Sequence, residues 1–255
     1  MPVHAGSTVD VLAFDYAAGS HEQLHVHPHE ALLIHAEAGE YRVFTEDRMW
    51  ALLPGRAIWL PPGVASGLQA GSRATVRLRP LHFPLPLPEM LPAEPTVVPV
   101  SALLVAVIGE LHALPADDAI CAALRQVALH EIRKTEPVLL PSLPQPRHAG
   151  LRRVAARQLD ELAAEWTLQA CAEVAHLSVR TFCRVFPKEA AGLTWPAWVR
   201  QARMMVGRQL LELGASVNQA AAQVGYDSQS AFAAAYRRIH GVSPSSHVKG
   251  LAARS

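Results

Sequence analysis

Arg180 and Arg184 stand four residues apart, with Ser178 and Thr181 beside them. On a helix that spacing places both guanidinium groups on one face. Each can donate a bidentate pair of hydrogen bonds to guanine O6 and N7, or bind a phosphate. A second polar set follows later: Ser228, Gln229, Ser230, Arg237 and Arg238. The alanines among them, Ala233 and Ala234, can offer a base edge only apolar contact, for example with a thymine methyl. The first set is therefore expected to carry most base readout, and the second to hold phosphates through Arg237, Arg238 and a helix N-terminus. The competing reading is a solvated arginine surface. Near the other end, His25, His27 and His29 alternate in His25-Val26-His27-Pro28-His29-Glu30. Clustered imidazoles can bind zinc, iron or manganese, or contact an organic ligand.

The elements that must hold the arginines are short helices. Thr167 can cap a helix carrying Leu168, Cys171, Val174 and Ala175. A tight turn, Ala175-His176-Leu177-Ser178, leads to a second helix from Val179 to about Phe186, with Phe182, Val185 and Phe186 inward at i, i+3 and i+4. Ser216-Val217-Asn218-Gln219 is a capping box opening a short alanine-rich helix. Gly225 supplies a left-handed turn residue, and Ser228 opens a helix with Phe232, Ala235, Tyr236 and Ile239 inward. Between the two helix–turn–helix units the pattern predicts a helix over Pro196–Leu213, buried along Trp198, Ala202, Met205, Leu210 and Leu213, with Thr194 as its cap. Its span is roughly 27 Å. That length suits two recognition helices about one DNA turn, ~34 Å, apart.

Residues 10–80 read as strands. Short apolar or alternating runs (Ala31–Ile34, Tyr41–Thr45, Trp50–Leu53, Ala57–Leu60, Val76–Arg79) are separated by Gly and Pro turns, the pattern of an all-β barrel or jelly roll. Helices are expected over about 101–113, capped by Ser101, and about 117–134, opened by Asp117–Asp118. Their apolar stripes suit a two-fold contact or packing on the barrel equally well. The expected fold is thus α+β with two domains: residues 1–100 a barrel, 101–136 candidate dimerisation helices, 137–147 a proline-rich linker, and 148–255 all-α.

Charge follows the same division. Residues 1–150 hold 10 Lys/Arg against 15 Asp/Glu, and residues 151–255 hold 13 against 7, so −5 and +6 sum to the +1 of the whole chain. A basic half joined to an acidic one suggests that only the C-terminal end meets a polyanion. Cys121, Cys171 and Cys183 have no metal-site spacing and suit a reducing compartment. No signal peptide and no apolar run near the ~20 residues of a membrane span is read, so a soluble cytoplasmic protein is expected.

Gly225-Tyr226-Asp227-Ser228-Gln229-Ser230-Ala231-Phe232, then Tyr236-Arg237-Arg238 and Gly241-Val242-Ser243-Pro244, resembles the signature of the AraC family of transcription regulators. The resemblance runs from about Trp166 to His247. It implies double-stranded DNA as partner, a homodimer, RNA polymerase as a candidate contact, and a double helix–turn–helix fold. The chain departs from the family in three places. His176 stands where the family usually has glycine, Pro187 sits at the end of the first recognition helix, and one residue more than usual lies in Glu189-Ala190-Ala191. The His25–Glu30 stretch with Gly39 is similar to the first metal motif of cupin barrels. In Pro61-Pro62-Gly63-Val64-Ala65-Ser66, however, Ala65 or Ser66 occupies the place of the later cupin histidine. No metal or other cofactor is therefore assigned, and His25, His27 and His29 are read as effector-contacting or structural. Arg56, in Pro54-Gly55-Arg56, is typical of the cupin-like sensor of one AraC subgroup. With Trp59 it joins the effector candidates, although Trp50 and Trp59 are more often core than ligand-stacking. His21, His35 and His82 are read as surface or strand-end residues. A metal-dependent cupin enzyme is the alternative, opposed by the incomplete ligand set and by the lack of any Ser/His/Asp or paired-carboxylate constellation. A helical adaptor that does not bind DNA is a third.

Overall fold

A computed structural model describes residues 14–71, 75–115, 118–134 and 142–252. Asp117 and residues 137–141 of the expected linker lie outside them. The strands are β1 (Phe14–Tyr16), β2 (His25–Val26), β3 (Glu30–Ala38), β4 (Tyr41–Phe44), β5 (Arg48–Leu52), β6 (Arg56–Leu60), β7 (Ala65–Ala70), β8 (Val76–Pro84), β9 (Thr96–Pro99) and β10 (Leu143–Pro144). The helices are α1 (Ala102–Ala113), α2 (Ala119–Lys134), α3 (Ala149–Asp160), α4 (Leu168–Ala175), α5 (Val179–Glu189), α6 (Trp195–Glu212), α7 (Val217–Gln223), α8 (Gln229–His240) and α9 (Pro244–Ala252). The chain forms two compact units, Met1–Tyr41 with Pro54–Leu140, and Arg42–Leu53 with Pro141–Ser255.

The first unit is built on an antiparallel sheet in the order β1-β8-β3-β6-β9. Its longest ladder, β3 on β8, runs from Glu30 opposite Pro84 to Ala38 opposite Arg77, with a bulge between Ala36 and Ala38. Side chains alternate between the faces of a strand, and here both faces are used. Ala31, Leu33, Ala57, Trp59, Leu81 and Phe83 pack in one cluster with Leu104, Val107, Ile108 and Leu111 of α1 and Ala128, Leu129 and Ile132 of α2. The residues between them, Leu32, Ile34, Leu78, Pro80 and His82, line a cavity with β2 and β7. Gly39 closes the turn after β3 at φ 84°, where a Cβ would lie 2.8 Å from the Thr75 carbonyl oxygen.

The apolar stripes of α1 and α2 are therefore buried inside this unit. Ser101 caps α1 as expected, its oxygen accepting from the Leu104 N–H at 3.0 Å. Its hydroxyl also donates to Glu131 of α2 at 2.6 Å. Asp118 accepts from the Ile120 N–H at 3.0 Å at the start of α2.

The second unit is helical apart from one hairpin and one short strand. Phe182, Phe186, Trp195, Trp198, Phe232 and Tyr236 form its centre, and Met49 and Leu143 join the same cluster. β5 pairs antiparallel with β10, Met49 opposite Leu143. Leu143–Pro144, in the segment expected to be linker, is thus a strand. Its Pro144 carbonyl accepts from Trp198 Nε1 at 3.0 Å, and the Gln145 N–H donates to the Asp47 carbonyl at 2.8 Å. Two buried polar contacts fix the hairpin. Arg42 pairs with Asp160 at the end of α3. Gln209 of α6, 0% exposed, accepts from the Leu53 N–H at 3.1 Å and donates to the Ala51 carbonyl at 2.7 Å.

The stripe expected on α6 is corrected accordingly. Trp195, Met204, Gly207, Gln209 and Leu211 are also buried, whereas Leu213 is exposed. A helix at the centre of a unit buries more than one face. Thr194 is extended as a cap residue should be, but its side chain makes no cap bond.

Candidate functional sites

Each helix–turn–helix unit is fixed by its caps. Thr167 Oγ1 accepts from the Ala170 N–H at 3.1 Å and opens α4. His176 ends it at φ 55°, ψ 43°, the left-handed conformation that glycine would adopt with less strain. Ser178 Oγ accepts from the Thr181 N–H at 3.2 Å, and the two side-chain hydroxyl groups bond at 2.9 Å. Ser178 and Thr181 are therefore partly committed to opening α5.

Arg180 and Arg184 are exposed, and neither is held in an ion pair among the described residues. Phe182 and Phe186 anchor the opposite face at 0% exposure. α5 continues past Pro187 to Glu189, beyond the expected end near Phe186. The Ala190 N–H still reaches the Phe186 carbonyl at 2.9 Å. Ala191 at φ 50° and Gly192 at φ 83° then turn the chain, which is how the extra residue is accommodated.

In the second unit both bonds of the capping box form: Ser216 with the Gln219 N–H at 3.2 Å, and Gln219 Oε1 with the Ser216 N–H at 2.9 Å. Gly225 turns the chain at φ 81°, where a Cβ would lie 2.6 Å from Ala163 Cα. Ser228 caps α8 by accepting from the Ala231 N–H at 3.2 Å. Gln229, Ser230, Arg237 and Arg238 are exposed, and Phe232 and Tyr236 are buried.

Two residues escaped the sequence reading. Gly207 lets α8 approach α6, since a Cβ there would lie 2.9 Å from the Phe232 ring. Arg203 ties α6 to the turns, donating to the Leu162 and Gly225 carbonyls at 3.0 Å each. Neither has a sequence signal beyond its helical position, because its role depends on which element packs there.

The cavity of the first unit is about 150 Å³ and is lined by Tyr16, His25, His27, Leu32, Leu68 and His82, among others. Glu30 Oε1 lies 2.7 Å from His27 Nδ1 and 3.0 Å from His82 Nδ1. The His27 and His82 rings are 5.8 Å apart, and the His25 ring is 4.9 Å from His27. Burial pushes the His27 imidazole below its ordinary value despite Glu30. Burial alone would raise the Glu30 carboxyl, but the bonds from His82 and His27 outweigh it and hold it low. Tyr16 donates to Glu22 across the cavity, and burial raises its hydroxyl pKa.

His35 is buried in the middle of β3 rather than at the surface or a strand end, and His82, near the end of β8, follows Leu78 and Pro80 in the alternation that faces the cavity. His29 is exposed and is not among the lining residues. Trp59 is 0% exposed, on the helix-covered face, 5.6 Å from Phe83, with Nε1 donating to the Pro92 carbonyl at 2.9 Å. Arg56 is buried, bonds the Gly55 carbonyl at 3.3 Å and does not line the cavity. Ser66, opposite His25 in the β2–β7 ladder, does line it.

Comparison with known proteins places both regions. Residues 8–137 match the family model of the AraC-like ligand binding domain, and residues 171–249 that of a helix-turn-helix domain. The chain is similar to the HTH-type transcriptional regulator NimR of Escherichia coli, 26% identical over 246 residues, 94% of this chain and 88% of that protein. It is also similar to the HTH-type transcriptional regulator RipA of Corynebacterium glutamicum, 34% identical over 116 residues, 46% of this chain and 34% of that one. Among solved structures, the DNA-binding domain of AdpA in complex with a target DNA aligns with 41% of this chain and 95% of its own, at 30% identity and a TM-score of 0.39.

Proposed function

The chain belongs to the AraC family of DNA-binding transcription regulators, with an AraC-like ligand-binding domain, and from that premise we propose that a small molecule held in the His27–His82 cavity controls how the C-terminal helices bind an operator. Base readout falls mainly to Arg180 and Arg184, with Ser178 and Thr181 at the same helix start. Ser228, Gln229, Ser230, Arg237 and Arg238 of the second unit position the protein on phosphates.

The observation that carries this reading is the pair of exposed arginines, free of ion pairs among the described residues, on a helix whose other face is locked by Phe182 and Phe186. The helix backbone beneath them is already ordered, so binding DNA costs only the side-chain freedom of each arginine, about 0.5–1.5 kcal/mol. α6, of 18 residues, is roughly 27 Å long, a length that suits two recognition helices about one DNA turn apart on one side of the duplex.

Residues 1–100 with the helices of 101–136 form the sensing part in this reading, 137–147 the connection, and 148–255 the DNA reader. Residues 42–53 lie inside the ligand-binding match yet pack in the compact unit of the helices. That chain segment is the natural route from effector to operator. The cavity of about 150 Å³ has room for roughly one aromatic ring, which favours a small effector. The exposed Leu103, Val105 and Ile120 of α1 and α2 are the apolar surface left for a homodimer contact. RNA polymerase is a further partner of the DNA-bound protein, and the cytoplasm is its place of action.

The test is selection of bound sequences from a random DNA pool, with and without candidate effectors, for the parent protein, Arg184→Ala and Arg238→Ala. Arg184→Ala is expected to relax preference at one base position by ~1–3 kcal/mol. Arg238→Ala should weaken all sites similarly and reduce the salt slope by about 1. Salt-independent binding, or equal sequence preference in all three proteins, would refute this assignment.

A further inference from the structure

We propose that His27, Glu30 and His82 together bind one divalent transition-metal ion at the cavity of the first unit. The three side chains each offer a ligand atom, and these atoms lie within 4.8 Å of one another. The framework behind them is stiff. Glu30 opens β3 opposite Pro84 and His82 lies opposite Leu32, so two of the donors stand on adjacent strands of one continuous ladder. His27 is held from the loop by its 2.7 Å bond to Glu30.

The chemistry of the set selects the ion. Two imidazoles and one carboxylate suit zinc, iron(II), cobalt(II) or manganese(II). Calcium and magnesium prefer all-oxygen sites, and copper(I) prefers sulfur. Three protein donors leave a tetrahedral ion one position open, and here that position is next to a small cavity. The side chains are only partly covered, 26% exposed for His27, 27% for Glu30 and 20% for His82, so an ion can enter without unfolding the sheet.

This donor set differs from the one implied by the cupin resemblance. Ala65 or Ser66 stands where a later histidine was sought, and the third ligand comes instead from β8. The aromatic contact of His25 with His27 puts a third imidazole nearby, its Nδ1 already bonded to the Gln23 carbonyl at 3.0 Å. The proposal concerns the cavity assigned to the effector but does not depend on an organic ligand binding there.

The experiment uses full-length protein carrying Cys183→Ser, which removes the exposed thiol that could take metal elsewhere. Metal-free protein is titrated with Co²⁺ and then with Zn²⁺, without DNA or effector. One equivalent of Co²⁺ should bind, with visible d–d absorption and no thiolate charge-transfer band, and Zn²⁺ should displace it and raise the thermal midpoint. Glu30→Gln and His82→Ala should each lower the affinity by about 100-fold or more, since loss even of an outlying partner costs a metal site about 10–100-fold. Far-UV circular dichroism of the metal-free variants confirms that they fold, and the nearly isosteric Glu30→Gln carries the test if His82→Ala does not. Absence of binding in the folded parent, a thiolate band, or unchanged affinity in Glu30→Gln would overturn the proposal. Each of those results would leave effector control of DNA binding intact. Stoichiometric metal with no effector response would refute that reading instead.

Discussion

Gln209→Leu removes two hydrogen bonds from the centre of the second unit while nearly conserving volume. In the parent, the Gln209 amide takes the Leu53 N–H at 3.1 Å and gives its own N–H to the Ala51 carbonyl at 2.7 Å. Leucine can make neither bond, and the strand edge it faces cannot move without separating β5 from β10. The buried Leu53 N–H loses its partner, at a cost of ~1–3 kcal/mol. The Ala51 carbonyl belongs to a half-buried residue and recovers part of its loss from water, leaving ~0.5–1 kcal/mol. Better transfer of leucine than of glutamine into an apolar core offsets some of this. The net expectation is a destabilisation of about 2–3 kcal/mol, or a fall in thermal midpoint of roughly 6–12 °C for a unit of this size. Urea unfolding followed by tryptophan fluorescence reports on it directly, because Trp195 and Trp198 lie in the same cluster. The midpoint should fall with the slope unchanged, which marks a change in stability rather than in the unfolded state. A loss below ~0.5 kcal/mol, the scale of an ordinary surface substitution, would mean that the Gln209 bonds do not hold the hairpin.

Other substitutions test the same physical reasoning elsewhere. Asp160→Ala strands the buried Arg42 guanidinium and should cost about 3–5 kcal/mol; Arg42→Met added to it should restore part of that, and strictly additive losses would deny the pair any coupling. His176→Gly should stabilise the protein by roughly 0.5–1 kcal/mol, because His176 sits at φ 55°, whereas His176→Val should destabilise it; thermal midpoints in the opposite order would refute the strain. Burial holds the His35 imidazole below its ordinary value of 6.5, against the Arg56 carbonyl bond and the nearby Glu37, with His112 adding to the lowering. The unfolded chain therefore takes up a proton before the folded one does. Stability should be flat above about pH 7.5 and fall as pH drops below 6.5. His35→Gln should flatten that fall in denaturation curves, and an unchanged slope would refute the assignment.

How much of this was legible in the residues depends on how local each cause is. Caps and turns were readable because their donors and acceptors lie within a few residues: Ser101, Thr167, Ser216 with Gln219, and Ser228 all act where their types and spacing indicated, while the cap made by Ser178 appeared only in the structure. Thr194 is the exception. The arginine face of α5 was equally local, since helical period alone separates Arg180 and Arg184 from Phe182 and Phe186. The alternation of β3, β6 and β8 was present in the sequence, but an alternating strand does not say which face will be covered by a helix. With both faces apolar, Trp59 and His82 could not be assigned until α1 and α2 were seen packed on one side.

The sequence by itself therefore determined the family, the division into a strand-rich and a helical part, and the polar face of each recognition helix, because each is written in patterns a few residues long. Only the tertiary structure decided that Glu30 lies between His27 and His82, that Gln209 holds the edge of β5, and that the hairpin of residues 42–53 belongs with the helices. Those juxtapositions join residues far apart along the chain. They arise from the packing of whole elements, which no local pattern of residue types encodes.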